Sequence, residues 1–81
     1  MVEVQLWAGL RPLADNQSVV RVEARTIREM LRKLEDRYPG LSDPIRGQVA
    51  VSVNGVIYRN DWSREIPEGA EVMLMRRLAG G

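Results

Sequence analysis

Apolar side chains occupy every second position in residues 2–8, from Val2 to Ala8. A period of two is typical of a β-strand that buries one face. Residues 9–17 are rich in turn-forming types, including Pro12, Asp15 and Asn16. Residues 18–24 then alternate again, so the pattern predicts an N-terminal β-hairpin.

A helix is predicted to start at Thr26. Thr26 and Glu29 have the spacing of a capping box, in which the hydroxyl accepts from the Glu29 N–H and the glutamate reaches back to the cap residue. Glu29 also stands four positions before Lys33 on the solvent side. Apolar residues recur at helical spacing and predict a core-facing stripe: Ile27, Met30, Leu31, Leu34 and Tyr38. Pro39 and Gly40 are expected to end the helix, which leaves the segment up to residue 47 as a loop.

The second half of the chain predicts three further strands. Residues 49–53 alternate, Asn54-Gly55 is a strong hairpin signal, and residues 56–58 form a short return strand. Residues 59–70 are irregular, with Trp62 and Ile66 as expected anchors and a turn at 67–69. Residues 71–77 form the last strand, which we expect beside the first strand in the middle of the sheet.

This order of elements indicates an α+β fold in which one main helix covers one face of a mixed sheet of about four to five strands. The predicted core consists of Val4, Leu6, Leu31, Leu34, Val51, Val53, Val72 and Leu74.

Composition narrows the possible functions. The 81 residues suit one small domain, residues 1–81. There is no cysteine and no histidine, so a thiol nucleophile, zinc-thiolate sites, and the commonest general base and metal ligand are missing. An enzyme with its own active site is therefore not expected, and neither is a bound metal or cofactor. The net charge is +1 and the charges are interspersed, which argues against nucleic-acid binding. No apolar run is long enough for a membrane span or a signal peptide, so the expected location is the cytoplasm.

The last residues suggest a different kind of chemistry. The chain ends in Gly80-Gly81, and we predict a flexible tail over residues 77–81. The Gly81 carboxylate is a poor acyl donor until an enzyme joins it to AMP from ATP, after which a sulfur or amine nucleophile can attack it. The alternative is a frayed end whose glycines have no role.

A hairpin, a capped helix ending near Tyr38-Pro39, a strand closing in Val53-Asn54-Gly55, Gly69 before the last strand and a terminal Gly-Gly together resemble the MoaD/ThiS sulfur carriers. The resemblance covers essentially the whole chain, and its length is closer to MoaD. It implies a ubiquitin-like β-grasp fold and a last glycine that a partner enzyme adenylates and that then becomes a thiocarboxylate. The implied partners are the adenylating enzyme, a sulfur donor and a sulfur-accepting synthase, such as the large subunit of molybdopterin synthase.

Two departures from this family keep other functions open. Arg76-Arg77-Leu78 stands where MoaD-like tails usually carry Pro-Pro, and Ala70 stands where they often have Asp. The arginine-rich tail is closer to ubiquitin and to prokaryotic proteins attached to lysines, so a protein modifier is one alternative. Sulfur transfer for thiamin, cysteine or tRNA thiolation is another, and a β-grasp binding module with idle glycines is a third.

The residues before Gly81 are candidates for partner binding. Met73, Met75 and Trp7, with small Ala50 and Ser52 beside them, are expected on the sheet face away from the helix, as a docking patch. The competing interpretation is that Trp62 and its loop partly cover this patch. The tail itself supplies the other candidates: Arg76 and Arg77 to pair with partner carboxylates, Leu78 as a contact, and Ala79 and Gly80 to permit passage into a narrow slot.

Overall fold

The computed structural model describes residues 1–77. Within them, the strands are β1 Val2–Leu6, β2 Val19–Val22, β3 Val49–Val53, β4 Val56–Tyr58 and β5 Val72–Arg76. They form one mixed sheet in the order β2-β1-β5-β3-β4. β1 and β5 are parallel, and the other neighbouring strands are antiparallel. The predicted central position of the last strand beside the first is therefore confirmed.

The main helix, α1, spans Ile27–Arg37 and begins at the predicted cap. The Thr26 hydroxyl accepts a hydrogen bond from the Glu29 N–H at 3.2 Å. The Glu29 carboxylate reaches one residue further back than the capping-box pattern predicts, because it accepts from the Arg25 N–H at 2.9 Å. The cap itself is confirmed, and the partner of the glutamate is corrected.

The core lies between α1 and one face of the sheet. All the residues predicted for it are buried, namely Val4, Leu6, Leu31, Leu34, Val51, Val53, Val72 and Leu74. The helical stripe is also confirmed, with Ile27 and Met30 buried and Tyr38 packed against the core from its edge. These confirmed positions fix which face of each strand points inward.

The segment predicted as a loop after α1 is helical instead. A short 3-10 helix, Pro39–Leu41, leads into α2, Ser42–Gly47. Both Pro39 and Pro44 stand in first turns, where proline is tolerated because its missing N–H has no partner to lose. Leu41 and Ile45, four residues apart, are buried and extend the core.

The first strand is shorter than predicted. β1 ends at Leu6, and Ala8 starts a 3-10 helix, Ala8–Ala14, where the sequence indicated a strand end and a turn. Leu10 and Ala14 of this helix are buried. Their spacing of four lets both contact the core, and this packing overrides the alternation that seemed to continue to Ala8.

One edge of the sheet is closed by side chains of α1. Lys33 donates from Nζ to the carbonyl of Glu23, and Arg37 donates from Nη1 to the carbonyl of Arg21 at 2.9 Å. These carbonyls lie at and just after β2, whose outer edge has no strand partner in the part of the chain described here. An unpaired edge is a template for association, so the two cations protect it.

The loop before β5 holds the start of α1. The carbonyls of Arg64 and Trp62 accept hydrogen bonds from the N–H groups of Ile27 at 3.0 Å and Arg28 at 2.8 Å, which otherwise lack intrahelical partners. Ile66 is buried and Trp62 packs against the core, so both predicted anchors are confirmed.

A small polar cluster shapes the same loop. Ser63 donates to Asp61 Oδ1 at 2.7 Å, and Arg64 donates to Oδ2 at 2.9 Å. The hydrogen bond from Ser63, helped by Arg64, holds the pKa of Asp61 below its usual value. Because the pKa of Asp61 is lower in the folded protein than in the unfolded chain, its hydrogen bonds stabilise the fold at neutral pH. This stabilisation is lost as the pH falls through the pKa that Asp61 has in the fold.

The predicted Asn54-Gly55 turn is confirmed. Both residues have positive φ, 50° and 85°, as a two-residue hairpin requires. Asn54 also ties this turn to the start of β5: its Oδ1 accepts from the Glu71 N–H at 2.9 Å, and its N–H donates to the Glu71 carbonyl at 2.8 Å. The turn therefore aligns β3 with β5 as well as with β4.

This turn generates a test of the fold. Gly55→Ala should lower the free energy of unfolding by about 1 to 2 kcal/mol, because a Cβ is strained at positive φ. Gly47→Ala is the matched control, since an added Cβ meets no atom within 4 Å at either glycine. Gly47 lies at the end of α2, so its substitution should leave stability unchanged or raise it by about 0.4 to 1 kcal/mol. Urea unfolding of both variants measures the difference, and equal values would contradict the turn geometry.

Candidate functional site

The parallel pairing of β1 with β5 gives the sheet two distinct ends. Met1 lines shallow cavities with Gly69 and Ala70, which precede β5, and we call this the far end. At the other end, the Trp7 N–H donates to the Leu74 carbonyl at 2.9 Å, just before β5 finishes. This second end, where the chain leaves the sheet, we call the exit end.

Arg77 is fastened to the sheet at the exit end. Its N–H donates to the Gln48 carbonyl at 2.7 Å, and its Nη2 donates to the Arg59 carbonyl at 2.7 Å. These two carbonyls belong to the residue before β3 and the residue after β4, so Arg77 spans the β3–β4 hairpin. The side chain is half-buried. Arg77, the first residue of the predicted tail 77–81, is thus held on the folded domain, and the other four residues of that tail lie outside the described part of the chain.

The two arginines predicted to face a partner differ in their surroundings. Arg76 is exposed, whereas Arg77 Nε is buried and has no hydrogen-bond partner among residues 1–77. A charged donor that is buried without a partner is costly, and the hydrogen bond from Nη2 to the Arg59 carbonyl offsets this cost only in part. Arg76 can therefore pair with a carboxylate of a partner directly, whereas Arg77 would first have to break its contacts with the folded domain.

The sheet face away from α1, which we call the outer face, carries a row of side chains across all five strands, and three of its five members, Val19, Met73 and Ile57, are apolar. The strand registers place these residues side by side: Val19, Gln5, Met73, Ser52 and Ile57. Met75 follows toward the exit end and is paired with Ala50. Val19 and Ile57 are 40% and 54% exposed, and both methionines are half-buried.

Trp7 completes this face at the exit end. It is 42% exposed and lines a groove with Met73 and Val19. Its ring lies directly over Gly9, where an added Cβ would stand 1.9 Å from ring atom Cζ3. Glycine at position 9 therefore leaves the space that the indole ring occupies.

The polarity of the outer face changes along the strands. Toward the far end, Arg21 Nε lies 3.6 Å from Glu3 Oε2 in an exposed ion pair. Toward the exit end, Trp7, Met73 and Met75 replace these charges. The apolar part of the outer face thus adjoins the point from which the chain departs, and such an arrangement suits docking of a partner that also receives the tail.

Trp62 does not cover the outer face, contrary to the competing interpretation of the sequence. Its side chain packs against the core and lines a shallow cavity with Arg28, Leu31 and Ile45. These residues belong to the helical layer. Trp62 is therefore not what half-buries Met73 and Met75 in the patch that they form with Trp7.

The remaining sequence-predicted site residues lie outside the described part of the chain. These are Leu78, Ala79, Gly80 and Gly81. The structure brings Trp7, Met73, Met75 and Arg76 to the exit half of the molecule, and it shows Ala50 more deeply buried, at 3% exposure, than a docking residue would be. Ala50 is instead a small, buried neighbour of Met75 in the sheet.

Sequence reasoning missed two exposed residues of the outer face, Val19 and Ile57. The alternation in residues 18–24 carried the signal for Val19, because Val20 and Val22 were already assigned inward. The Arg59 carbonyl that holds Arg77 had no signal in the sequence, since a backbone acceptor depends on where the chain runs.

Within residues 1–77, no group of three or more acidic side chains could hold a metal ion. None of the helices in this range is long and apolar enough to cross a membrane. What the described residues offer is a partly exposed apolar patch, formed by Trp7, Met73 and Met75, beside the end of β5.

Comparison with known proteins supports this description. The profile of the ThiS family matches residues 4–81. CysO of Mycobacterium tuberculosis, described as an antigen, superposes with a TM-score of 0.83 at 21% identity, covering 96% of this chain and all of that one. CysO in the BexX/CysO complex of Amycolatopsis orientalis gives a TM-score of 0.79 at 21% identity over both full chains. SAMP1 of Haloferax volcanii gives 0.78 at 25% identity, covering 98% of this chain and 97% of that one. A search of curated protein sequences finds no match.

The fastening of Arg77 yields a prediction. Arg77→Met keeps an apolar stem but removes the donor to the Arg59 carbonyl, and Arg76→Met is the matched control on the exposed neighbour. Loss of a bond worth about 1 kcal/mol should speed hydrogen exchange of the residue-77 amide roughly five-fold. NMR-detected exchange measures this rate. An unchanged rate in Arg77→Met, or an equal increase in Arg76→Met, would contradict the anchor.

Proposed function

Because the chain belongs to the ThiS family, we propose that it is a sulfur carrier whose reactive group is the carboxylate of Gly81. A partner enzyme adenylates this carboxylate, and the product is converted to a thiocarboxylate that donates sulfur in cofactor biosynthesis. The observation that carries the proposal is the family match over residues 4–81, which includes the Gly80-Gly81 end, on a body whose open apolar face adjoins the exit of that end.

The chemistry needs no catalytic side chain of the carrier. The Gly81 carboxylate attacks the α-phosphate of ATP, an acyl-adenylate forms and pyrophosphate leaves. A sulfur nucleophile then attacks the carbonyl carbon, and AMP leaves. The sequence has no cysteine on which sulfur could be carried, so the carboxylate is the group that fits this role. The chain is then a co-substrate of the adenylating enzyme, and the need for ATP makes the cytoplasm the proposed compartment.

The partner surface is the outer face near the exit end. Trp7, Met73 and Met75 supply an adaptable apolar contact, and the exposed Arg76 supplies a cation at its rim. Relatives of the same fold are seen with a partner, since CysO of Amycolatopsis orientalis has been crystallised as a complex with BexX. We propose that an adenylating enzyme and a sulfur-accepting synthase use this face in turn.

The molecule that accepts the sulfur is determined by the partner synthase and not by this chain. A synthase similar to the large subunit of molybdopterin synthase is one candidate, with thiazole, cysteine and tRNA thiolation as alternatives. All of these pathways would use the same thiocarboxylate, and they differ only in the molecule that receives the sulfur. The Arg76-Arg77 segment, in place of Pro-Pro, is the feature we expect to influence partner choice.

Protein modification is the second candidate function. It is favoured by the similarity to SAMP1 of Haloferax volcanii, since the same protein from Methanosarcina acetivorans is named a small archaeal modifier protein. Modification begins with the same adenylation, but a lysine amine of another protein attacks Gly81. Trypsin cleaves after Arg77, so conjugates would carry a branched Leu-Ala-Gly-Gly remnant on lysine.

The proposal predicts a specific mass change. Co-expression with the adenylating enzyme and sulfur donor from the same genome should replace one terminal oxygen by sulfur, as seen by intact mass spectrometry. Gly80→Val should reduce this conversion about a hundred-fold, because a β-branched side chain misplaces the carboxylate in a narrow slot. Its urea unfolding should match that of the wild type. Full conversion of Gly80→Val, or an unmodified wild type beside an enzyme proven active, counts against the carrier.

The docking face has its own test. The double variant Met73→Ser/Met75→Ser should raise the KM of the adenylating enzyme for the carrier roughly ten-fold, or about 1.4 kcal/mol, through lost apolar burial. Val56→Ser is the matched control, because Val56 is 53% exposed but lies on the helix side of the sheet. Equal KM values for the two variants would show that the enzyme does not use the outer face.

A further inference from the structure

The only lysine of the sequence, Lys33, lies at the far end of the sheet. Its Nζ donates to the Glu23 carbonyl, and Glu23 directly follows β2, whose last residue pairs with the first residue of β1. Lys33 and Glu23 also line one cavity together with Met1 and Gly69, the residues that define the far end. The single side-chain amine is therefore held beside the start of β1, on the outer edge of β2.

The point where the chain departs lies at the opposite end. Met1 and Trp7 are six residues apart along β1 and its flanks, which corresponds to about 20 Å of extended chain. Trp7 is bonded to Leu74, and Arg77 lies beyond Leu74 in the same direction. β2 and β5 are also separated by β1, which adds about 10 Å across the sheet. The distance from Arg77 to the Lys33 amine thus exceeds about 20 Å.

The segment after Arg77 is too short to cover this distance. Arg77 is fastened by its N–H and its guanidinium, and residues 78–81 connect this anchor to the proposed reactive carboxyl of Gly81. Four residues span at most about 14 Å when fully extended. While Lys33 stays hydrogen-bonded to the Glu23 carbonyl, the Gly81 carbonyl carbon therefore cannot meet the Lys33 amine of the same molecule.

We propose that this arrangement reserves the activated Gly81 carboxyl for nucleophiles on other molecules. The inference rests on the proposed function, since it requires an activated terminus. In the excluded reaction, the Lys33 nitrogen would attack the Gly81 carbonyl carbon, a C–N bond would form, the leaving group would depart as AMP or thiolate, and the amine proton would pass to water.

A chemically prepared Gly81 thioester of the 81-residue chain tests the proposal without any enzyme. The folded thioester is incubated at high dilution, and internal amides are identified by intact mass and peptide mapping. The wild type should hydrolyse without forming an internal amide, and Lys33→Arg should decay at the wild-type rate. Gln48→Lys places an amine next to Arg77, at an exposed position. It should form the internal amide about a hundred-fold faster than the wild type.

Two results would overturn the proposal. One is an internal amide in the wild type, at Lys33 or at the α-amine of Met1, which also lies at the far end. The other is the absence of amide in Gln48→Lys as well, because distance would then not be what protects the terminus. Failure of the proposed function would be seen in a different experiment, in which no adenylating enzyme modifies the chain. The thioester test does not depend on that result, because the thioester is made chemically.

Discussion

The parallel pairing of β1 with β5 is the constraint on which the rest of the structure depends. Parallel strands start at the same end of a sheet and finish at the same end, so Met1 and the residues before β5 lie together, and Trp7 lies with Arg77. An antiparallel pair would have placed Trp7 at the opposite end from the departing chain. The pairing therefore creates an exit end that has its own aromatic residue and a far end that holds the only lysine.

The side chains of β5 divide this strand between stability and docking. Val72 and Leu74 are fully buried under α1, whereas Met73 and Met75 lie on the outer face. A slip of one residue in register would exchange the two sets, and the core would lose its members at the same moment as the docking face. The bonds between Asn54 and Glu71 hold β5 at the correct register near its start, and those of Arg77 hold it at its end.

The division of the molecule into ends and faces also explains how a carrier can avoid reacting with itself. The cations Lys33 and Arg37 serve as edge protection for β2, so the lysine has a structural role at a place that the chain's own terminus does not reach. The same geometry leaves the exit end free of side-chain amines in residues 1–77. In the proposed carrier, selectivity for an external acceptor would then follow from topology rather than from any catalytic group.

Much of this fold could be predicted from local patterns. The alternation in β1 and β3, the Thr26 cap, the stripe of α1 and the Asn54-Gly55 turn each depend on short-range physics, and each is confirmed. The helix α2 was missed because Pro44 signals a break, although proline is compatible with a first turn. Trp7 and the methionines were placed correctly by parity, but the hold on Arg77 depends on two distant carbonyls that no residue pattern encodes.

The most direct test of this account is NMR mapping of the chain during titration with the proposed partner, the adenylating enzyme from the same genome. We predict that the Trp7 indole and the Met73 and Met75 methyl groups shift or broaden first, together with the Arg76 amide, while the amides around Glu23 and Lys33 stay unchanged. Changes centred on Lys33 and the far end, with the outer face unaffected, would contradict the claim that the exit end is what this protein presents to its partners.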